Sequence, residues 1–274
     1  MSNPATHTRA LFARLIDDAA MFPPGNATAA DAIAQHLNHR SAAYSDVVGP
    51  LLVHVDRWGD FASAHRRADS PELAVVIIGS ATAEPADAAG IDVVGHEVAA
   101  PLSSVEAGSG GPVAVELSPQ ADLERELEEL ARMRERGLPL IAKYRTGGTA
   151  PEAFPSADQM ADVIWLAVRH GVPIKFTAGL HFAVRHADPG AGFFQHGFLN
   201  LAVAVHAAQR GLEPAQVSRV LSEMSPGPLV SRVASWSPAD IAKIRSTFTS
   251  FGCCGVTEAV ADAAALGLLP QGIV

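Results

Sequence analysis

Short apolar runs recur along the chain, and the segments between them carry a helical period instead. Strands are predicted over Leu51–Val55 (LLVHV), Leu73–Ile78 (LAVVII), Ile91–Val94 (IDVV) and Val113–Leu117 (VAVEL). The series continues with Leu138–Tyr144 (LPLIAKY), Val172–Thr177 (VPIKFT) and Thr249–Cys254 (TSFGCC), and a weaker strand over Leu15–Phe22 precedes it, ending in Pro23-Pro24. Most of these runs are apolar at both odd and even positions, the pattern of strands covered on both faces. Proline stands at several entry points, Pro50, Pro112, Pro139 and Pro173, where a missing amide donor is tolerated.

The intervening Ala121–Arg136 places Leu123, Leu127, Leu130 and Met133 on one stripe, with Asp122 and Glu124 early and Arg134 and Arg136 late. Charges in that order suit the helix dipole. Gly137 stops this helix, as Gly171 stops one over Ala157–His170. Eight strands alternating with helices predict an α/β fold of the (βα)8 TIM-barrel type. A doubly wound open sheet is the rival, but the chain carries no Gly-rich dinucleotide fingerprint. Between the seventh and eighth strands, Ala178–Phe248 is long for one connection. It reads as a loop (Ala178–Gln195), helices over Gly197–Arg210 and Pro214–Met224, a second loop, and a helix over Pro238–Phe248. Part of this helical insertion is expected to cover one end of the barrel. Ala81–Gly90 and Glu106–Gly111 read as loops or weak helix. No linker or composition shift divides the chain, so residues 1–274 are read as one domain.

Composition narrows the class. Of 274 residues 48% are hydrophobic, enough buried surface to offset chain entropy and exclude disorder. Asp and Glu outnumber Lys and Arg 29 to 20, and a net charge of -9 argues against nucleic-acid and anionic-membrane partners. No apolar run is long enough to cross a membrane. Met1–Leu15 lacks the apolar segment of a signal peptide. The two cysteines, Cys253 and Cys254, are adjacent and cannot build a disulfide framework. These features predict a cytoplasmic protein, and a homo-oligomer is compatible with them.

Only 3 of the 20 basic residues are lysines: Lys143, Lys175 and Lys243. The first two lie in segments that echo each other, RGLPLIAKYRTGG (Arg136–Gly148) and HGVPIKFTAGL (His170–Leu180). Each has a helix-stopping glycine, a proline, an apolar strand, a lysine, and a glycine four residues on, Gly147 and Gly179. In a parallel barrel both lysines come near the carboxyl ends of neighbouring strands, the end where this fold places its active sites. Alternation sends Lys143 and Arg145 to one face and Lys175 and Thr177 to one face. If both lysines point inward, like charge and desolvation disfavour protonation, so at least one pKa is expected to fall. A neutral lysine is a nucleophile for carbonyl carbon. Two surface lysines, or lysines paired with carboxylates, are the plainer alternative.

The signals K-x-R-T-G-G and K-x-T-A-G, 32 residues apart, resemble the last strands of class I aldolase barrels, most of all the deoxyribose-phosphate aldolase type. That resemblance implies a Schiff base on Lys143, with Lys175 lowering its pKa, and no cofactor. The chain differs from that family in Arg145 and Thr146, in a histidine-rich loop after Lys175, and in lacking an evident Gly-Ser phosphate loop. DDAAMFPPG, KFTAGLHF, HGFLN and FGCC are also similar to segments of a family of bacterial barrel proteins, which implies the fold but no particular activity.

Other strand ends offer acid–base groups. Glu116 lies inside an apolar strand, where an ionised carboxylate needs a cation, and a lysine on the next strand can supply one. The pair can relay a proton or serve as a structural ion pair. His54 and His96 occupy similar positions on earlier strands, as catalytic groups or as hydrogen-bonded core residues. His181, Arg185, His186 and His196 crowd the loop after Lys175, with His181 and His196 favoured over His186. Arg145 and Arg185 can hold an anion through bidentate donors. One of Cys253 and Cys254 is expected to face the barrel; Asp17 and Asp18 end the first strand and can reach the same mouth.

The leading expectation is a lyase or aldolase-like enzyme acting on a small anionic carbonyl compound. Lys143, Lys175, Glu116 and His181 carry its chemistry. Arg145, Thr146, Gly147, Gly148, Thr177, Gly179, Arg185, His196 and Cys254 line its substrate site. One alternative is a divalent-metal lyase, isomerase or hydrolase with His54, His96, Glu116 and His181 as ligands. Another is a non-catalytic barrel that binds an anionic metabolite.

Overall fold

A computed structural model describes residues 4–80, 89–105, 111–118, 122–148, 151–187 and 193–274. Eight parallel strands close into a barrel in the order β1 (Ile16–Asp18), β2 (Val48–His54), β3 (Leu73–Ile78), β4 (Ile91–Val98), β5 (Val113–Glu116), β6 (Leu140–Arg145), β7 (Ile174–Thr177) and β10 (Phe248–Cys253), with β10 pairing back to β1. Closure removes the free sheet edges that an open doubly wound sheet would leave. This is the (βα)8 TIM-barrel fold.

Outside the barrel lie α1 (Pro4–Phe12), α2 (Ala29–Ser41), α3 (Trp58–Arg67), α4 (Leu123–Glu135), α5 (Ala157–Arg169) and α10 (Val256–Ala265). The connection from β7 to β10 holds α6 (Phe198–Gln209), α7 (Pro214–Leu221), α8 (Pro226–Ala234) and α9 (Pro238–Thr247). It also holds a short antiparallel hairpin, β8 (His186–Ala187) with β9 (Phe194–Gln195).

Local chemistry explains the boundaries. Asp122 caps α4 by accepting from the Arg125 amide at 3.2 Å, and Leu127 and Leu130 of its stripe are fully buried. Each such leucine contributes about 1.5–3 kcal/mol by leaving water. Ser156 and Gln159 close a reciprocal capping box on α5. Gly137 and Gly171 take φ of +92° and +65° just past the C-caps, a conformation costly for residues with a Cβ.

Four sequence expectations are corrected. The first strand is only Ile16–Asp18, because the Asp18 carboxylate turns the chain by accepting from the Ala20 amide at 3.0 Å. β4 runs on to Val98, past the polar-looking Gly-His-Glu. The stretch expected as a loop before Pro238 contains α8, whose prolines fall in the first turn, where no amide partner is lost. The loop after Lys175 contains the β8–β9 hairpin. Among the expected loops, residues 81–88 and 106–110 lie outside the described residues.

One parity of the strands packs outward. Val53, Ile77, Val115, Ala142, Phe176 and Phe251 are buried in two large hydrophobic clusters with the helices. The other parity lines the axis: Leu52, Ile78, Lys143, Arg145, Thr177 and Gly252 border an upper cavity at the carboxyl ends of the strands. Asp17, Val76, Glu97, Ala114, Lys175 and Ser250 border a lower one.

Candidate active site

The lysine strands meet in register. Glu116 pairs with Lys143 along β5 and β6, and Lys143 with Lys175 along β6 and β7, so side chains of one parity stand side by side. Both lysines are buried. Two bare ammonium groups there would repel, but carboxylates separate them.

Glu97 of β4 lies between the two amines. One of its oxygens is 2.8 Å from Lys143 Nζ and the other is in close contact with Lys175 Nζ. Lys143 also reaches Glu116 Oε2 at 3.1 Å, and Glu116 holds Arg145 Nε at 3.2 Å. On the far side Lys175 donates to Asp17 Oδ2 at 2.6 Å, which also accepts from Ser250 Oγ at 2.7 Å. The result is a continuous chain of alternating charge: Asp17, Lys175, Glu97, Lys143, Glu116, Arg145.

Alternation sets the protonation states. Burial would raise the Glu97 carboxyl, but Lys175 and Lys143 outweigh it and hold it at about 2. Burial would lower Lys175, but Asp17 and Glu97 reverse that and push it above the ordinary lysine value. Lys175 is therefore not the amine whose pKa falls: it is paired with carboxylates, the plainer alternative that the sequence offered. Burial also raises the Asp17 carboxyl against the pull of Lys175 and Ser250. Glu116 has the same opposing influences, and Lys143 and Arg145 bring it below its usual value.

Of these six charged residues, Lys143 and Arg145 line the upper cavity of about 690 Å³, whereas Asp17, Lys175 and Glu97 line the lower cavity of about 410 Å³. The wall around Lys143 is otherwise largely apolar, with Phe22, Leu52, Ile78 and Phe154. A volume of this size suits a small organic ligand.

The remaining candidates divide. Gly148, Thr177, Gly179, His181 and Cys254 line the upper cavity. Thr146 is buried and spends its hydroxyl on the carbonyls of Thr177 and Ala178. Gly147 packs on Gly179, where an added Cβ would come within 3.1 Å of the Gly179 Cα. The twin glycines after the lysines thus let two loops touch. His196 is fully buried, with Nε2 2.8 Å from the Pro155 carbonyl and Nδ1 3.3 Å from Arg185, and burial lowers it to about 4. Arg185 also lies over the Phe194 ring. This pair ties the loop together and does not border the upper cavity. His186 contacts Phe182 and the Val184 carbonyl.

The four ligands of the metal alternative do not converge. His54 Nδ1 accepts from the Asp56 amide, His96 Nδ1 is 3.0 Å from the Ser80 carbonyl, Glu116 is taken by Lys143 and Arg145, and His181 faces Glu258. Among the described residues no group of three or more His, Cys, Asp or Glu is placed to hold a metal ion. Asp18 pairs with His36 at 2.9 Å in the core, away from the mouth. Cys253 is buried and Cys254 lines the cavity, which decides between them.

Sequence reasoning missed Glu97, although IDVVGHEV bears the signal that singled out Glu116, a carboxylate within an apolar run. It also missed Ser250 and Glu258. Neither carries a signal in one sequence: a serine in a strand and an acidic residue in a helix's first turn are commonplace.

No family model and no curated protein matches the chain. Among solved structures it is similar to the carboxyl transferase domain of Rhizobium etli pyruvate carboxylase, determined with 3-bromopyruvate, at 13% identity and a TM-score of 0.42 over 97% of this chain and 55% of that one. The chain thus spans about half the length of that neighbour. No helix among the described residues is long and apolar enough to cross a membrane.

Proposed function

We propose that the chain is a lyase of aldolase-like type, acting on a small anionic carbonyl compound through a Schiff base on Lys143. One observation carries the reading: Lys143 is the amine at the wall of the upper cavity, backed by Glu97, Glu116 and the buried Lys175. Glu97 is shared between two amines, so it stays paired with Lys175 when Lys143 gives up its proton. Glu116 can receive that proton at 3.1 Å.

The neutral Nζ then attacks the carbonyl carbon. An N–C bond forms, the carbonyl oxygen leaves as water carrying one proton from Nζ and the proton held by Glu116, and the iminium withdraws electrons from the neighbouring carbon. Arg145 borders the same cavity and can orient a carboxylate or phosphate while it keeps Glu116 in place. His181, on the loop after the neighbouring strand β7, borders the same cavity and is a proton donor for the departing or arriving fragment.

The test is intact mass after borohydride reduction with a panel of small aldehydes, ketones and 2-oxo acids, for wild type and Lys143→Met. The reading predicts one stoichiometric adduct in wild type and none in the variant. Labelling spread thinly over amines and unchanged by the substitution would contradict it. Tight binding of an anion without any adduct would move the non-catalytic reading ahead.

A further inference from the structure

We propose that Cys254, His181 and Glu258 form a second nucleophilic centre at the cavity rim, one that captures an aldehyde as a hemithioacetal independently of Lys143. Three elements converge there. Cys254 follows β10, His181 lies on the loop after β7, and Glu258 is in the first turn of α10. Cys254 Sγ is 3.6 Å from His181 Nε2, and His181 Nδ1 is 3.0 Å from Glu258 Oε2. All three side chains border the upper cavity. A nucleophile, a base on one ring nitrogen and a carboxylate on the other is the arrangement that activates a thiol.

The backbone is adapted to the contact. Gly255 caps α10, and a Cβ there would fall 2.5 Å from Glu258 Oε2 and 3.1 Å from His181 Nδ1. Cys254 stands just before that cap, where the helix N-terminus favours negative charge on sulfur. Contact with the Cys253 and Cys254 sulfurs raises His181 to about 11.

Other charges around the sulfur are few. Lys143 and Arg145 border the same cavity. On α10, Asp262 is engaged with the Ala183 amide at 2.6 Å. The loop packed against Cys254 from β1, Ala19 to Gly25, has no titratable side chain, and Asp18 below it is paired with His36. Arg185 of the β7 loop is held by His196. Cys253 contacts His181 at 3.9 Å but is buried, so it is not open to ligand.

The step balances within the site. Sulfur attacks the carbonyl carbon and an S–C bond forms. The π pair moves to oxygen, and the oxygen takes the proton from His181 Nε2, leaving neutral imidazole and no net charge created. Glu258 is a positioning residue that holds Nδ1–H.

The experiment is alkylation by iodoacetamide from pH 6 to 9, with the modified cysteine located by peptide mass. An ordinary thiol, of pKa about 8.5, slows about tenfold per pH unit below that value. Cys254 should react nearly independently of pH and, at pH 6, about tenfold or more faster than a free thiol. His181→Gln should restore the ordinary pH dependence, and Glu258→Gln should move the profile part of the way. Propanal should protect Cys254 from alkylation in Lys143→Met as it does in wild type. An ordinary thiol profile in wild type overturns the proposal, as does a profile unaffected by His181→Gln. Protection that disappears with Lys143 would put the aldehyde on the lysine and overturn capture by sulfur. Should Lys143→Met fail to fold, the wild-type and His181→Gln profiles decide the matter, and the borohydride adduct on Lys143 is read separately in Cys254→Ser.

Discussion

β6 and β7 each carry a lysine in segments that echo each other, and the two lysines border different cavities. Lys143 and Lys175 are register partners, equally buried, and both touch Glu97. Lys143 borders the upper cavity, with Glu116 and Arg145 on its open side. Lys175 is closed in by Asp17 and Glu97 and faces the lower cavity. The lesson is that register partners on neighbouring strands can open to different cavities of one barrel. The lysine motif alone does not tell which carboxylates surround each lysine.

The sharpest way to break this comparison is to remove each amine in turn. Lys175→Met leaves Asp17 and Glu97 facing each other without their shared cation, which should cost roughly 3–5 kcal/mol. Lys143→Met leaves Glu97 on Lys175 and Glu116 on Arg145 and should cost roughly 1–3 kcal/mol. Thermal melting compares the two, and equal losses would erase the distinction. Adding Asp17→Asn and Glu97→Gln to Lys175→Met should recover most of the lost stability.

Acid should act on the same layer. Glu97 is held at about 2 in the fold against an ordinary 4.5, so its contribution is complete above pH 4.5 and is lost as pH falls toward 2. The linked change is on the order of 3 kcal/mol. Asp17, raised by burial, works in the opposite sense. Denaturant titration across pH 2–5 should therefore show a steeper acid loss in wild type than in Glu97→Gln. The smallest expected effect is at the rim: Arg145→Gln should weaken binding of an anionic carbonyl compound about tenfold, near 1.4 kcal/mol. A neutral analogue should bind equally well to both.

Much of the fold was legible because strand and helix periods, helix-stopping glycines and proline entry points agree with one another in most of the chain. The failures fall where local and tertiary signals diverge. β4 looked finished at Val94 because Gly-His-Glu is polar, yet its glutamate is the residue the barrel interior needs. α8 was hidden by Pro226 and Pro228, which a helix accepts in its first turn. In the site, scarcity made Lys143 and Lys175 visible, and an apolar context did the same for Glu116. Thr146, Arg185 and His196 have reactive or polar side chains at suggestive positions, but a sequence does not reveal that a carbonyl or an aromatic ring already occupies them.

The central claim, that only the upper amine meets substrate, is tested most directly by locating the trapped group. Wild-type protein reduced with borohydride in the presence of the best carbonyl compound of the panel would be digested and mapped by tandem mass spectrometry. The account predicts the adduct on the peptide containing Lys143, with Lys175 unmodified in the same sample. An adduct on Lys175, or one divided evenly between the two lysines, would contradict it.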